Sequence, residues 1–351
     1  MDRLAFWRGK RVLVTGHTGF KGAWLCRILA SAGASLTGYA TPSPTNPALF
    51  QLADISADMH TVIGDIRDYD RLLTTFAEVS PEVVFHLAAQ PIVREGYRTP
   101  RETYATNVMG TVNLLECVRN TSSVRSVVVV TTDKVYEHRE WPWGYRENER
   151  LDGFDPYSSS KSCAELVTAT YRRSFLAKQG VAVSSVRAGN VLGGGDFAPD
   201  RIMPDLVRAA LKKEPVIVRN PHAVRPYQHV LDPLFAYLLI AEKQWESRVL
   251  ADAYNVGPDE EDSLTTGALV DRFISFWGES LARVDCPEQG AVHEAELLRL
   301  DTAKLRQVLG WNPRWGIDET ISRVVEFTRA LIDGEAARDI MDRQIAAFVA
   351  G

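Results

Sequence analysis

The chain has 351 residues, 24% of them charged, and a net charge of −5. This composition is typical of an ordinary soluble globular protein with about two domains. No basic block stands out, so the charge pattern does not indicate a nucleic-acid-binding surface. The uncharged runs are too short to span a bilayer, and basic residues flank the apolar stretch near the N-terminus, Leu4–Trp7, which argues against a signal peptide. We therefore expect a cytoplasmic protein with no nucleic-acid or membrane partner.

The cysteines are few and far apart in the chain. None forms a C-x-x-C pair with another, and the four positions are Cys26, Cys117, Cys163 and Cys286. This spacing favours buried thiols in a reducing compartment over disulfides or a zinc site. We expect no metal site.

The stretch Arg11–Leu25 predicts a strand, a glycine-rich turn and a helix. Its first part, Val12–Val14, is an apolar run without polar alternation, as in a strand that is buried on both faces. Gly16, Gly19 and Gly22 follow at intervals of three, and glycine permits positive φ and lets a pyrophosphate approach the backbone. The helix that follows offers free N–H groups to phosphates. A dinucleotide site is therefore predicted, with an ordinary glycine turn as the alternative.

The next elements extend this pattern without choosing the cofactor. Ser35–Tyr39 predicts a second strand, and the zone in which an acidic residue often holds the ribose, Gly38–Pro42, contains neither Asp nor Arg. The second strand therefore does not decide between NAD and NADP. Gly64–Asp68 follows a short strand and opens a helix, with Asp68 as a plausible N-cap. Asp65 could receive an adenine amino group.

Alternating strands and helices continue through the first half of the chain. Val83–Ala89 predicts a fourth strand that ends in small residues, where a cofactor could lie close, and His86 within it is expected to be a satisfied core histidine. Pro100–Arg119 predicts a long helix and Ser126–Thr131 a fifth strand. The alternation predicts an α/β protein with a parallel, doubly wound sheet and ligands at the carboxyl ends of its strands.

Two groups of polar residues are candidates for chemistry. The fifth strand ends in Thr131–Tyr136, reading T-T-D-K-V-Y, where a polar turn closing a buried strand is the alternative. Tyr157 and Lys161 are four residues apart, on one face of a predicted helix. A nearby ammonium is expected to lower the pKa of the phenol and make it a usable acid/base. The Tyr-x-x-x-Lys pair is weak alone, but it gains weight behind a glycine loop and a hydroxyl-bearing strand.

The pattern loosens after a sixth strand at Val181–Val186. Arginines in the glycine- and proline-rich loops that follow suit a diphosphate. We expect a dinucleotide-binding domain over 1–187, to which 230–257 returns, and a smaller C-terminal α/β substrate part over 188–229 and 258–351. The elements predicted there are helices at Met203–Leu211, Pro233–Gln244, Thr265–Trp277, Thr302–Leu309, Ile317–Asp333 and Ala336–Val349, strands at Val216–Val218 and Ala253–Val256, and loops at Arg219–Pro221 and Arg225–His229.

A set of motifs resembles the extended short-chain dehydrogenase/reductases, and among them the nucleotide-sugar 4,6-dehydratases. The motifs are Thr15-Gly16-x-x-Gly19-Phe20-x-Gly22, His86-Leu87-Ala88-Ala89, Thr106-Asn107-Val108 and Tyr157-x-x-x-Lys161. Segments 16–22, 141–149, 187–196 and 225–230 are similar to the branch that uses cytidine nucleotides. The resemblance covers nearly the whole chain. It implies a Rossmann sheet, bound NAD, a nucleotide-sugar substrate, and a homodimer or higher homo-oligomer that pairs helices such as Pro100–Arg119 and Ser158–Lys178.

The resemblance also implies a reaction. Tyr157 would remove the proton from the sugar C4 hydroxyl while hydride leaves C4 for NAD, Thr132 would hydrogen-bond the same oxygen, and Lys161 would hold the ribose. Asp133 would protonate the hydroxyl that leaves C6, and hydride would return to C6 to give a 4-keto-6-deoxy sugar. Lys134 stands where thymidine-sugar relatives carry a Glu that acts as base at C5, so the identity of the C5 base stays open.

The resemblance further implies two sets of binding residues. Those expected at the cofactor, besides Tyr157 and Lys161, are Gly16, Thr18, Gly19, Phe20, Gly22, Asp65, Ile66, Ala88, Ala89, Tyr104 and Asn107. Those expected at the substrate are Gln90, Asn190, Arg201, Arg219 and Arg225. One alternative is a nucleotide-sugar 4-epimerase, which needs no acid such as Asp133. A non-enzymatic, redox-sensing dinucleotide-binding regulator is another, but it could dispense with the Tyr/Lys pair.

Overall fold

The computed structural model describes residues 4–278, 281–286 and 296–351. The strands of these residues are β1 (Arg11–Thr15), β2 (Ser35–Ala40), β3 (His60–Ile63), β4 (Val83–His86), β5 (Ser126–Val130), β6 (Ala182–Ala188), β7 (Asn190–Leu192), β8 (Val216–Val218), β9 (Val224–His229), β10 (Ala253–Val256), β11 (Ser263–Thr265) and β12 (Arg283–Asp285). The α-helices are α1 (Phe20–Ser31), α2 (Leu49–Leu52), α3 (Tyr69–Val79), α4 (Val93–Arg98), α5 (Pro100–Tyr104), α6 (Gly110–Arg119), α7 (Pro156–Tyr171), α8 (Ile202–Lys212), α9 (Leu231–Glu246), α10 (Thr266–Trp277), α11 (Ala303–Leu309), α12 (Ile317–Ile332) and α13 (Ala337–Ala350).

Seven strands form one parallel sheet in the order β10-β6-β5-β4-β1-β2-β3. The chain builds outward from β1 to β3 on one side and from β4 to β6 and β10 on the other. The order therefore reverses between β1 and β4, where a doubly wound sheet opens a crevice for ligands at the carboxyl ends of its strands. The predicted α/β fold class is confirmed.

Alternate residues of each central strand enter hydrophobic cores on opposite faces of the sheet. Val12 and Val14 of β1 enter the core on the face of the sheet that α1, α9 and α13 cover. Leu13 packs on the other face, with side chains of α3 and α6. Both faces are buried, which explains why the strand sequences lack polar alternation.

The region after β6 builds two small sheets of its own, in the orders β11-β9-β7 and β12-β8. Arg225–His229, predicted as a loop, lies within β9, so that prediction is wrong. Pro226 pairs in register with Ser263 of the antiparallel neighbour β11, and Tyr227 pairs with Asn190 of β7. Strand pairing with distant segments therefore outweighs the local preference for a loop that arginine and proline indicate here.

The helices predicted from sequence are present, with two local differences. The helix expected over Ser158–Lys178 is observed as α7 followed by a π-helical turn at Arg172–Leu176. The helix predicted over Pro100–Arg119 is observed as α5, a π-helical turn at Ala105–Met109, and α6. Asp68 caps α3, because its carboxylate accepts the backbone N–H of Arg71 at 3.1 Å. Within the described ranges, no helix is long and apolar enough to cross a membrane.

The thiols are less uniformly buried than predicted. Cys26 and Cys117 are buried, Cys163 is half-buried and Cys286 is exposed, and all four are free. Cys286 follows the short edge strand β12, which leaves its side chain outside the core. The prediction of buried thiols is wrong for this residue.

Candidate active site

The glycine loop between β1 and α1 is shaped by close backbone contacts. Gly16 has φ +77°, and a Cβ there would lie 2.7 Å from the backbone N of Ala88. A Cβ on Gly22 would lie 2.2 Å from the carbonyl O of Gly16, so glycine is required at both positions. Gly19 caps α1 from outside the helix, and a Cβ there would meet only the Gly16 oxygen, at 3.4 Å. The space in front of Gly19 and the free N–H groups of the first turn of α1 fit a pyrophosphate.

Other residues predicted to bind the cofactor surround this loop. Thr18 donates from Oγ1 to the carbonyl of Thr41 at 2.9 Å, and Ala88 donates its backbone N–H to Thr15 Oγ1 at 3.2 Å. Ile66 is buried against Gly110, where a Cβ would lie 2.6 Å from an Ile66 methyl carbon. The ring of Phe20 approaches Gly193, where a Cβ would lie 2.9 Å from it. Ala89 is half-buried, and Tyr104 is exposed.

Asp65 binds a neighbour in the chain rather than standing free. Arg67 donates to its carboxylate from Nε, from Nη2 at 2.7 Å and from the backbone N–H at 2.9 Å. These hydrogen bonds lower the pKa of Asp65. The carboxylate is therefore ionised at neutral pH, and its oxygens can accept from an amino group.

Asn107 and Gln90 bind each other and the site helix. Asn107 Oδ1 accepts the backbone N–H of Gln90 at 2.8 Å, and its Nδ2 donates to Ser160 Oγ at 2.8 Å. Gln90 Nε2 donates to Thr103 Oγ1 at 2.9 Å. The π-helical turn that carries Asn107 thus links the end of β4 to α7, and the amides of both residues have partners within the protein.

The predicted catalytic residues come together at the end of β5. Asp155 caps α7 and accepts the backbone N–H of Tyr157 at 2.9 Å, which fixes the start of the helix. Thr132 hydrogen-bonds the phenol of Tyr157, and its Oγ1 donates to Asp133 Oδ1 at 3.0 Å. Asp133 is 1% exposed, and its Oδ2 has no partner among the described residues. The phenol, the hydroxyl and the carboxyl group are contiguous, as proton transfer requires.

The expected lowering of the Tyr157 pKa is not observed. Burial raises it to about 12, although the hydrogen bond with Thr132 opposes the shift. Lys161 lies one turn further along α7 and donates from Nζ to the carbonyl of Val130 at 3.1 Å. Its pKa is lowered to about 8, because burial penalises the ammonium. The Tyr-x-x-x-Lys spacing correctly predicts that the two side chains lie one turn apart on a helix. It does not predict that both are buried, and burial shifts their pKa values.

Lys134 and the predicted substrate arginines differ in how near they lie to this cluster. Lys134 Nζ is 4.0 Å from Asp133 Oδ1. Arg201 pairs with Asp196 at 3.0 Å and is close enough to oppose the rise in the Tyr157 pKa. Arg219 instead pairs with Asp200 at 3.4 Å, and its side chain is 49% exposed.

Asn190 and Arg225 lie on neighbouring elements of the small three-stranded sheet. Arg225 is buried in β9 and donates from Nη1 to the carbonyl of Val224 at 2.9 Å. Asn190 begins β7, which pairs with β9, and is half-buried. The two residues thus share a sheet, in agreement with a common role at one ligand.

Lys21 is a site residue that the sequence reasoning missed. Burial lowers its pKa to about 7, and the nearby cations Arg201 and Lys161 act in the same direction, while Asp133 and Asp196 oppose them. The signal was present in the glycine loop, since a lysine in the first turn of α1 must lie beside the strand ends. His86, in contrast, is the core histidine that was predicted, with its two ring nitrogens 2.8 and 3.2 Å from the hydroxyls of Thr15 and Thr111.

The site has a phenol and an ammonium one helical turn apart, and they face a hydroxyl at a strand end beside a glycine loop. This arrangement places the chain among the extended short-chain dehydrogenase/reductases. The family described as GDP-mannose 4,6 dehydratase matches residues 13–324, and the chain belongs to it. A more particular similarity is to the CDP-glucose 4,6-dehydratase of Salmonella typhimurium, which is 47% identical over 350 residues and covers 98% of this chain and 97% of that protein.

Solved structures share the fold over most of the chain. MoeE5 in complex with UDP-glucose and NAD is 25% identical, with a TM-score of 0.78, over 92% of this chain and 100% of that one. The dTDP-glucose 4,6-dehydratase of Bacillus anthracis in complex with NAD is 22% identical, with a TM-score of 0.77, over 92% of this chain and 98% of that one. The second likeness concerns the fold alone.

Proposed function

We propose that this protein is a lyase that converts CDP-D-glucose to CDP-4-keto-6-deoxy-D-glucose and water, with NAD as its resident cofactor. The 47% identity to the Salmonella typhimurium CDP-glucose 4,6-dehydratase supports the substrate and the reaction. The NAD complex of MoeE5 supports the cofactor, together with the backbone cradle at Gly16, Gly19 and Gly22.

The observation that carries the proposal is the buried carboxyl group of Asp133 beside Thr132 and Tyr157. Loss of water from C5 and C6 needs a proton for a poor leaving group, and Asp133 Oδ2 is buried with no partner in the described residues. An epimerase moves hydride and proton at C4 alone and has no use for this acid. The geometry therefore favours a dehydratase over the 4-epimerase alternative.

The side chains divide the reaction between them. Tyr157 removes the C4 hydroxyl proton, Thr132 donates to or accepts from the same oxygen, and the Lys161 ammonium favours the phenolate. When bound, NAD would supply the acceptor for the C4 hydride and the source of the hydride for C6. Burial raises the pKa of the phenol, and the hydrogen bond with Thr132 and the charge of Arg201 oppose that rise.

Lys134 is assigned to C5, as base or as stabiliser of the developing enolate. A lysine that acts as a base must be neutral, which requires a pKa far below its ordinary value of about 10.4. Its side chain is 30% exposed, and its Nζ lies 4.0 Å from Asp133 Oδ1. Stabilisation of the enolate oxygen by the charged form is therefore the role that the geometry suits better.

The substrate is assigned to the part of the chain outside the large sheet. We place it at 188–229 and 258–351, opposite a dinucleotide-binding domain over 1–187 with 230–257. Asn190 and Arg225 lie in the small sheet β11-β9-β7 of this part, and these two residues are assigned to the diphosphate, with Arg201 as a further candidate. Residues 279–280 and 287–295 of the predicted substrate part lie outside the described residues.

We further propose a homo-oligomer in the cytoplasm. Large apolar side chains remain exposed on the helices predicted to pair: Met109 at 52%, Leu166 at 56% and Phe175 at 43%. A second copy would bury them, as the resemblance implies. Sedimentation would measure the mass in solution, and cell fractionation the location.

The experiment is turnover of a panel of CDP-, dTDP-, GDP- and UDP-glucose with NAD present. A 6-deoxy-4-ketosugar absorbs strongly in alkali, whereas an epimer does not. We expect that product from CDP-glucose, with no stoichiometric release of NADH. Preference for another nucleotide would change the substrate assignment, and a product without alkaline absorbance would favour the epimerase.

A further inference from the structure

One buried ion pair holds both ends of the segment that carries the catalytic residues 132–134. Glu165 of α7 and Arg187 of β6 lie 2.8 Å apart, and each is 3% exposed. Neither residue is expected to touch substrate or cofactor. Their contacts lead instead to the residues on either side of the catalytic segment.

The first end is fixed at β5. Thr131 Oγ1 donates to Glu165 Oε1 at 2.5 Å, directly before Thr132. Lys161, one turn earlier on α7, donates to the carbonyl of Val130. Successive turns of α7 therefore bind the last residue of β5, Val130, and the residue after it, Thr131, and the same helix carries Tyr157. This arrangement sets the distance between the phenol and the hydroxyl that hydrogen-bonds it.

The second end is fixed through the guanidinium. Arg187 Nη1 donates to the hydroxyl of Tyr136 at 2.9 Å and to the carbonyl of Glu147 at 2.9 Å. Tyr136 in turn donates to Asn255 Oδ1 of β10 at 2.6 Å. Ser185 Oγ also donates to Glu165 Oε2, at 2.7 Å. Both sides of the catalytic segment thus attach to the rigid sheet.

We propose that Glu165 and Arg187 are positioning residues for the oxidation at C4, acting through Thr131 and Tyr136 on the placement of Thr132 and Asp133. A buried pair of this kind adds little to stability over an apolar pair, but its geometry is specific. Hydride and proton transfer need reacting atoms that are held in a precise geometry. The contribution of the Glu165–Arg187 pair should therefore appear in the rate of the hydride-transfer step. The inference rests on the proposed function for the oxidation at C4 and for the catalytic roles of Thr132, Asp133 and Tyr157.

The test removes one contact of the pair and leaves its charges in place. Thr131→Val deletes the hydroxyl that binds Glu165, and Thr131→Ser retains it. Thr168→Val is the matched control, because Thr168 is a buried threonine of α7 whose hydroxyl donates to Ala164 in its own helix, at 2.7 Å. Each full-length variant is assayed with NAD and the sugar nucleotide that the wild type turns over. The measurements are kcat, KM, the melting temperature and the rate at which bound NADH forms in a single turnover.

We expect Thr131→Val to slow NADH formation by between about tenfold and a hundredfold, the range for a misplaced rather than a missing catalytic group. KM should stay within about twofold of the wild-type value, the melting temperature should match that of Thr168→Val, and Thr131→Ser should restore the rate. Equal rates for Thr131→Val and Thr168→Val would overturn the proposal, as would a loss of rate that only tracks the melting temperature. Failure of the proposed function is a separate result, since it would show in the wild-type product.

Discussion

Replacing Asp133 by asparagine should separate the two halves of the reaction. Asparagine keeps the size of the side chain and the Oδ1 acceptor, which Thr132 binds at 3.0 Å, but it cannot give up a proton. Oxidation at C4 depends on Tyr157 and should continue, whereas loss of water should stall. Reduced cofactor should then accumulate on the enzyme.

The expected magnitude comes from the role of a general acid, about 10²–10⁴-fold in rate. That corresponds to about 2.7–5.4 kcal/mol of barrier, at about 1.36 kcal/mol for each factor of ten. The effect on folding should be smaller. Asparagine keeps the hydrogen bond from Thr132, and the Lys134 side chain, which is 30% exposed and 4.0 Å away, can still be hydrated.

The assay is a single turnover with enzyme in excess, followed by absorbance at the wavelength of NADH. Asp232→Asn is the control, because Asp232 is a fully buried carboxyl group on α9, away from the catalytic cluster, and burial raises its pKa well above the ordinary value. Its variant should give the wild-type time course. Wild-type elimination by Asp133→Asn, with no accumulation of NADH, would refute the acid assignment.

Three further perturbations probe other parts of the site. Tyr157→Phe should abolish NADH formation with little change in circular dichroism, and substantial turnover would remove Tyr157 from the role of base. Burial lowers the pKa of Lys21 to about 7, and Arg201 and Lys161 act in the same direction. Below pH 7 the charged lysine therefore destabilises the folded chain. As the pH rises, the folded chain loses this proton before the unfolded chain does. Lys21→Met should therefore raise the melting temperature most below pH 7, with a gain that shrinks from pH 7 to 9; a constant difference would contradict the lowered pKa. Arg225→Ala should raise the substrate KM by a factor equivalent to roughly 1.5–3 kcal/mol, with an unchanged KM assigning the residue to packing instead.

The fold was predictable because its signals are local and repeated. Strands such as β5, with the sequence S-V-V-V-V and every residue buried, cannot be mistaken for amphipathic elements. The turn at Gly16 and the cap at Asp68 involve residues within a few positions of one another. Strand order then follows from the short connections of a doubly wound sheet.

The features that escaped prediction depend on distant parts of the chain. β9 exists because Pro226 and Tyr227 pair with strands on either side, which no window around Arg225 reveals. The raised pKa of Tyr157 is a consequence of burial by several elements, and spacing reports only proximity to Lys161. Likewise Glu165 reads as an ordinary helix residue until β6 supplies Arg187.

The place of β10 in the large sheet has a consequence for synthesis of the chain. β6 is buried at all seven positions, and one of its edges is covered by β10, which follows only after residues 189–252. At about 5–20 residues per second, a ribosome leaves that edge without its partner for several seconds. The unpaired edge of a strand is a template for aggregation. Chains truncated before Ala253 should therefore be recovered as insoluble material, and a chaperone that shields this edge should raise the yield of the intact enzyme.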